Sequence, residues 1–304
     1  MKICIIGPDA RSDTEIYMME TAKKTPKQMF DSVLYASIEK IHIETCHDKK
    51  AVPYFKNLNL LDFDIIIPMV NKANADFCYV LLKIFEQHKK IISISSKSLL
   101  NGYNEFLLPF ILNNGGIETP RTYLAMSRTA IEKNIDTMIY PALLKLPYSK
   151  AGTIILDSKS SAKGVVDTLE TLNQPITLQE TFEDAFSINV LLIGKETYAI
   201  KGKDKKYALK KDEMDLVLNV SKLLDVNIYQ LNLIKTNNQV MVAGFNIKPK
   251  IEYYSEIYNI NLFDKCLAYL RKHASVSKEN PVFNKFLEWV HDLRRYRYKV
   301  ESNE

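Results

Sequence analysis

The residues of this chain that could do chemistry are few and widely separated. Its five histidines do not fall with a serine and an acid, or with a cysteine, in a pattern typical of nucleophilic catalysis. His42, Cys46 and His47 could be metal ligands, but the segment offers no fourth ligand, so the spacing does not favour a metal site. The four cysteines form no C-x-x-C pair, which favours free, mostly buried thiols in a reducing compartment.

Lysines supply the strongest local charge pattern, a run between residues 195 and 211 that is interleaved with Tyr198 and Tyr207. Such a run could meet an anionic partner such as nucleic acid or an acidic protein tail. Alternating lysines on a surface hairpin also protect an exposed sheet edge, and this interpretation is favoured, so nucleic acid is not an expected partner. The lysines of the run are Lys195, Lys201, Lys203, Lys205, Lys206, Lys210 and Lys211.

Composition is ordinary for a globular protein. The chain has 304 residues, of which 46% are hydrophobic and 25% charged, which excludes disordered, collagen-like and coiled-coil classes. Nine glycines are few for an enzyme that wraps phosphates in backbone. No apolar stretch is long enough to cross a bilayer and the first residues do not resemble a signal peptide, so we expect a cytoplasmic protein without a membrane anchor.

Alternating strand and helix patterns dominate the first hundred residues. The apolar run Ile65–Pro68 is typical of a strand buried on both faces of a parallel sheet. Together the patterns predict an open, mostly parallel α/β domain. The predicted strands are 2–6, 33–43, 65–68 and 90–94, and the predicted helices are 12–23 and 74–87.

The remaining sequence predicts mixed helices and antiparallel strands. A helix at 103–114 should end at Gly115-Gly116 and be kinked or shortened by Pro109. The further predicted helices are 130–135, 161–172, one from about 212, 262–273 and 281–298. The further predicted strands are 142–146, 152–156, 176–180, 187–193, 195–201, 207–209, 228–235 and 240–246.

Five short motifs occur in a recognisable order over about 170 residues. They are Gly116–Pro120 (G-I-x-x-P), Tyr140–Lys145, Ile176–Glu180, Ile188–Gly194 and Val242–Pro249. From about residue 100 this order resembles the ATP-grasp superfamily, most closely the RimK-like glutamate ligases, which join a carboxylate to an amine using ATP. The resemblance implies an α/β protein with the ATP-grasp fold. Its expected parts are a Rossmann-like α/β domain at 1–119, an α+β lid at 120–178, a central α+β nucleotide-cradling subdomain at 179–275 and a C-terminal helix at 276–304.

The resemblance also implies roles for individual residues. Lys145 falls where the family lysine contacts a nucleotide phosphate, and Gln179 and Glu180 fall on the hinge strand whose backbone pairs with the base. Gly152 is the one glycine left of the Gly-rich lid loop. Asn246 is the one residue left of the set that holds Mg²⁺. ATP and Mg²⁺ are therefore the implied cofactors.

Several departures argue against both cofactors. The aspartate and the glutamate that hold Mg²⁺ in the family fall on Asn232 and Gly244, and Mg²⁺ requires hard anionic oxygens. A second family lysine falls on Glu105. The acid and arginine after the hinge fall on Ser187 and Asn189.

Another departure is a deletion. The catalytic stretch with R-x-N and paired glycines has no counterpart in Lys201–Asp212, which is too short for it. Substitute acids exist at Asp225, Glu252 and Glu256. The last two are at helical spacing and are interpreted first as a solvated helix face.

Two functions follow as alternatives. The first is a protein whose ligase chemistry has been lost and which serves as a binding, scaffold or assembly partner, with a protein partner or a second copy of itself. The second is an active, divergent ATP-dependent carboxylate–amine ligase that works through an acyl phosphate, with Lys145 on the phosphate and Asn246 plus a substitute acid on the metal.

Overall fold

A computed structural model describes residues 1–9, 11–24, 30–47, 49–104, 106–145, 153–171, 174–182, 184–237 and 239–279 of the chain. The predicted helix at 281–298, Glu105 and Gly152 lie outside the described residues. No helix in the described ranges is both long and apolar enough to cross a membrane.

Strands and helices are numbered in chain order. The strands are β1 (Lys2–Gly7), β2 (Ser32–Ser37), β3 (Ile41–Cys46), β4 (Lys49–Phe55), β5 (Leu58–Asn59), β6 (Ile65–Pro68), β7 (Ile91–Ile92), β8 (Thr122–Ala125), β9 (Ala142–Lys145), β10 (Thr153–Leu156), β11 (Ile176–Glu180), β12 (Phe186–Ile193), β13 (Glu196–Lys201), β14 (Lys205–Tyr207), β15 (Ile228–Lys235) and β16 (Val240–Asn246). The helices are α1 (Asp13–Lys24), α2 (Ala75–Gln87), α3 (Ser96–Tyr103), α4 (Leu107–Asn114), α5 (Arg128–Thr137), α6 (Lys159–Thr171), α7 (Lys211–Leu224), α8 (Ile251–Tyr258) and α9 (Leu262–Glu279).

The first sheet is parallel, with the strand order β2-β1-β6-β7, as predicted. The predicted strand 33–43 is wrong in one respect, because a 3₁₀ turn at Ile38–Lys40 divides it. Only the first part joins the parallel sheet. The second part becomes β3 of a separate antiparallel sheet, β3-β4-β5, whose other strands were not predicted.

The predicted helix 103–114 is also wrong at its start. The chain instead forms α3 and α4, and the amide oxygen of Asn104 accepts hydrogen bonds from the backbone N–H groups of Phe106 (3.1 Å) and Leu107 (2.8 Å). These bonds satisfy two backbone donors at the start of α4, where the cap residue Phe106 offers no side-chain hydrogen bond of its own. Pro109 then lies in the first turn of α4, where a missing N–H costs no helical hydrogen bond.

Two antiparallel sheets are formed by the rest of the chain. The lid sheet has the order β10-β9-β11-β8 and packs one face on α5 and α6 around Leu144, Val166 and Leu178. The central sheet has the order β14-β13-β12-β15-β16. Its one face packs on α7, and the other packs on α9 and on the parallel sheet through residues such as Leu191 and Phe263. The central sheet is therefore shared by two hydrophobic cores and joins the parts of the molecule. The four-part division of the chain stays a prediction.

Candidate functional site

A narrow cleft lies between the lid sheet and β16. Lys145 of β9 and Gln179 of β11 line a cavity of about 10 Å³ together with Val242 and Ala243 of β16. The ammonium group of Lys145 donates a hydrogen bond to the backbone oxygen of Ala243 at 3.4 Å. Two residues predicted to bind nucleotide thus lie together, and in this arrangement Lys145 bridges the two sheets.

The hinge-strand residues make contacts within the lid. The side-chain amide of Gln179 donates to the hydroxyl of Thr122 at 3.0 Å, and Gln179 is buried. The carboxylate of Glu180 accepts from the backbone N–H of Arg121 at 2.7 Å. Both side chains therefore hold β8 against β11, and recognition of a base by the backbone of this strand stays a prediction.

A row of uncharged side chains crosses the central sheet where the resemblance places the metal ligands. Asn232 lies opposite both Asn189 and Gly244, and Gln230 lies opposite Asn246. A Cβ atom built on Gly244 would lie 3.2 Å from the amide nitrogen of Asn232, so positions 232 and 244 share one face and are in contact. We call the four side chains of Asn189, Gln230, Asn232 and Asn246 the amide row.

The amide row does not fit Mg²⁺. The ion takes anionic oxygen ligands and needs them to offset its dehydration, whereas the side chain of Gln230 donates to the Asn232 oxygen at 3.2 Å and neither residue is charged. Within the ranges that the structure describes, no three His, Cys, Asp or Glu side chains are grouped so as to hold a metal ion.

A second, much larger cavity of about 910 Å³ opens beside the amide row. It lies between the start of α1, the loop that follows β6, and the segment from the end of β16 into α8. We call it the large cavity. Its charged lining residues are Asp13, Lys72, Lys248, Lys250, Glu252 and Glu256, and Asn246 lies among its polar ones.

Lys248, which lines the large cavity, forms an ion pair with Glu15 of α1. The Glu15 side chain is fully buried and that of Lys248 is 17% exposed. Glu15 also accepts a hydrogen bond from the backbone N–H of Ser12 at 2.8 Å. The amide oxygen of Asn246 accepts from the backbone N–H of Lys248 at 2.9 Å, so it stabilises the turn that carries Lys248.

Glu252 and Glu256 occupy different environments. Glu256 is exposed, in agreement with a solvated helix face, but Glu252 is partly buried and accepts a hydrogen bond from the hydroxyl of Thr14 at 2.7 Å. Burial raises the pKa of the Glu252 carboxyl, and the nearby charge of Asp13 raises it further, while Thr14 and Lys250 act in the opposite direction. Glu252 therefore ties α8 to α1.

We expect Glu252→Gln to stabilise the protein at alkaline pH and not at acidic pH. Because the folded state raises the pKa of Glu252, the proton binds more tightly in the folded state than in the unfolded state. Stability from this group is complete below the unfolded pKa, near 4.5, and is lost as the pH rises through the folded pKa. Melting curves of both proteins at pH 4 and pH 8 measure this, with Glu256→Gln as the exposed control. An equal shift at both pH values would contradict it.

A family model described as the RimK-like ATP-grasp domain matches residues 104–270. The chain belongs to the RimK-like ATP-grasp family. A probable alpha-L-glutamate ligase of Picosynechococcus sp. is 20% identical over 299 residues, which cover 91% of this chain and 98% of that protein. Another, from Legionella pneumophila strain Corby, is 24% identical over 254 residues, covering 77% and 84%.

Solved structures give the same fold. The RimK domain ATP-grasp protein of Sphaerobacter thermophilus superposes with a TM-score of 0.71 at 12% identity, over 89% of this chain and 99% of that chain. The ATP-grasp ligase PsnB, complexed with the precursor peptide PsnA2 and AMPPNP, gives 0.67 at 12% identity, over 88% and 97%. The D-alanine–D-alanine ligase of Bacillus anthracis gives 0.68 at 13% identity, over 91% and 99%. The ATP-grasp fold predicted from the sequence is confirmed.

Sequence reasoning missed the buried residues of the large cavity. Glu15 and Lys248 lie far apart in the chain. Lys248 belongs to the motif Val242–Pro249, but the resemblance gave it no role, and Glu15 belongs to none of the motifs. One local signal was present: Ser12 and Glu15 have the S-x-x-E spacing of a capping box, which the hydrogen bond from Ser12 to Glu15 realises. The partner of Glu15 has no local signal.

Proposed function

We propose that this member of the RimK-like ATP-grasp family has lost ligase chemistry and serves as a binding or assembly protein. The observation that carries the proposal is the amide row. Asn232 and Gly244 lie side by side at the two positions where the resemblance places the acids that hold Mg²⁺.

Electrostatics supports the loss of phosphoryl transfer. Activation of a triphosphate requires neutralisation of the charge on its oxygens, which metal ions normally supply. Amides bring no charge. Of the motif residues, Lys145 supplies the positive charge that lines this cleft. Its ammonium group already donates a hydrogen bond to the backbone oxygen of Ala243. Free, buried Cys4, Cys78 and Cys266 are compatible with the reducing cytoplasm that we propose as its location.

The large cavity supports a retained binding role. It is far more open than the cleft beside Lys145, and it presents polar and charged side chains from both the parallel sheet side and the central sheet side. Cavities of this size accommodate small molecules or a stretch of peptide. The neighbour PsnB was solved with a precursor peptide, which makes a protein or peptide partner the ligand to test first, with self-association as the other possibility.

Calorimetry with ATP in the presence and absence of Mg²⁺ tests the loss of chemistry. We expect weak or no heat at millimolar nucleotide, and no change when Mg²⁺ is added. Lys145→Gln is the matched control, because any metal-independent phosphate binding should depend on that ammonium group. Micromolar affinity that requires Mg²⁺ would overturn the proposal.

One observation favours the alternative, an active divergent ligase. Glu252 and Glu256 line the same cavity as Asn246, so acids are near the family's metal strand. This alternative expects ADP release in the presence of some pair of acid and amine. Release should stop in Lys145→Ala and fall in Glu252→Gln but not in the exposed control Lys97→Gln.

A further inference from the structure

The positive charge of this protein is concentrated in one hairpin. Residues 201–211 contain six lysines and one aspartate, a net charge of +5, which equals the formal net charge of the whole chain. The basic and acidic residues of the rest of the chain therefore sum to a net charge of zero. We call residues 201–211, which cover the end of β13, all of β14 and the first residue of α7, the lysine hairpin. Its lysines are Lys201, Lys203, Lys205, Lys206, Lys210 and Lys211.

These lysines are available to a ligand. All six are exposed, and none forms an ion pair with another residue that the structure describes. Two of them lie over aromatic rings, with the Lys201 nitrogen 3.6 Å from the ring centroid of Phe186 and the Lys206 nitrogen 5.3 Å from that of Tyr258. Cation–π contacts position an ammonium group without neutralising it.

The lysine hairpin also forms an open sheet edge. β14 is the outermost strand of the central sheet and pairs with β13 alone among the described residues. β14 is anchored to α7. The hydroxyl of Tyr207 donates to the buried carboxylate of Glu213 at 3.1 Å, and Lys235 forms an ion pair with the same carboxylate. Lys205 and Lys206 are adjacent in the strand, so they project from opposite faces of the sheet.

We propose that the lysine hairpin binds an acidic, extended peptide segment of a partner protein. The segment adds to the edge of β14 as a further strand, and its carboxylates pair with lysines on both faces. Side chains of a strand alternate between faces, which matches Lys205 and Lys206. The fit to a nucleic acid is poorer, because the aromatic rings are not free for stacking: Tyr198 is buried and Tyr207 is held by Glu213. This proposal is independent of whether the cleft binds nucleotide.

Fluorescence anisotropy with the full chain and labelled ten-residue peptides tests the charge requirement. One peptide repeats Glu-Glu-Thr-Thr, which places carboxylates on both faces of a strand, and the other repeats Gln-Gln-Thr-Thr. We expect the Glu peptide alone to bind, and Lys203→Gln/Lys205→Gln/Lys206→Gln to weaken it by about tenfold or more, since three exposed ion pairs are lost. The matched control is Lys97→Gln/Lys133→Gln/Lys222→Gln, which removes the same charge from exposed helix positions. Equal losses in both variants would overturn the proposal.

A second set of ligands tests strand addition. A Glu peptide methylated on alternate backbone nitrogens keeps its charge but cannot complete a strand ladder, and we expect it to bind at least about tenfold more weakly. Undiminished binding of the methylated peptide would overturn strand pairing. Tighter binding of a ten-residue oligothymidylate, or of vesicles containing anionic lipid, at the same salt concentration would overturn the choice of an acidic peptide.

Discussion

Lys248→Met is expected to lower the free energy of unfolding by about 3–5 kcal/mol, because it leaves a buried carboxylate without its cation. Glu15 is fully buried, and the ammonium of Lys248 is its ion-pair partner. The remaining hydrogen bonds from Ser12 do not carry a full positive charge. Lys248 is 17% exposed, so some water reaches the ion pair and weakens it. We therefore expect a loss in the lower part of that range.

Urea denaturation followed by circular dichroism measures the loss. The double variant Glu15→Gln/Lys248→Met should recover most of the stability, since it removes both charges, and the difference from the sum of the single variants gives the coupling. Lys250→Met is the matched control, because Lys250 is exposed at the same cavity and its replacement should stay within about 0.5 kcal/mol. A Lys248→Met protein as stable as the control would contradict the buried-charge account.

The ion pair of Glu15 and Lys248 matters for function because it joins two elements that line the large cavity. Glu15 belongs to α1, beside the parallel sheet, and Lys248 belongs to the turn between β16 and α8. Thr14 bonds to Glu252 and Tyr17 bonds to Ser255 at 3.0 Å along the same contact. Any ligand of the large cavity therefore meets a wall whose position depends on buried polar contacts rather than on a flexible loop.

Sequence patterns predicted the elements that are apolar and continuous. The run Ile65–Pro68 forms β6 in the middle of the parallel sheet, as its unbroken hydrophobicity indicated. The hairpin of β3 and β4 was only partly predicted, because Lys49–Phe55 contains two lysines and a proline, and from residue 50 to residue 55 only Pro53 is buried. Short mixed strands give little periodic signal.

In the candidate site, too, some features were predicted from the sequence and others were not. The positions of Asn232, Gly244 and Asn246 were anticipated from the family motifs, but their pairing was not. The register that runs from the β15–β16 turn would pair Asn232 with Ala243, and a register shift between Asn232 and Leu233 brings Gly244 opposite Asn232 instead. The contact of Lys145 with Ala243 depends on how closely the two sheets approach, which no local pattern encodes. The same is true of Glu15 and Lys248, which only the packing of α1 on the end of β16 brings together.

Restoring two carboxylates to the amide row should create Mg²⁺-dependent nucleotide binding. In Asn232→Asp/Gly244→Glu the new acids lie on paired residues, and Asn246, two residues beyond Gly244 along β16, is the further oxygen ligand that the design relies on. Two anionic oxygens give the hard ligands that Mg²⁺ requires, so we expect the affinity for ATP to rise by about tenfold or more when Mg²⁺ is added. Titration calorimetry with and without the ion measures this difference.

Geometry permits the substitution at Gly244. Its backbone is outside the left-handed region, so an L side chain is accommodated, and the nearest atom to a new Cβ is the side-chain nitrogen of Asn232 at 3.2 Å, which must move by a few tenths of an ångström. The matched control is Asn232→Asp/Gly244→Gln, which has nearly the same volume and one carboxylate fewer. Equal ATP binding by both variants, unchanged by Mg²⁺, would show that the missing carboxylates are not the reason why the cleft fails to bind metal and nucleotide. The close approach of Lys145 to Ala243, which leaves about 10 Å³ between the sheets, would then be the obstacle.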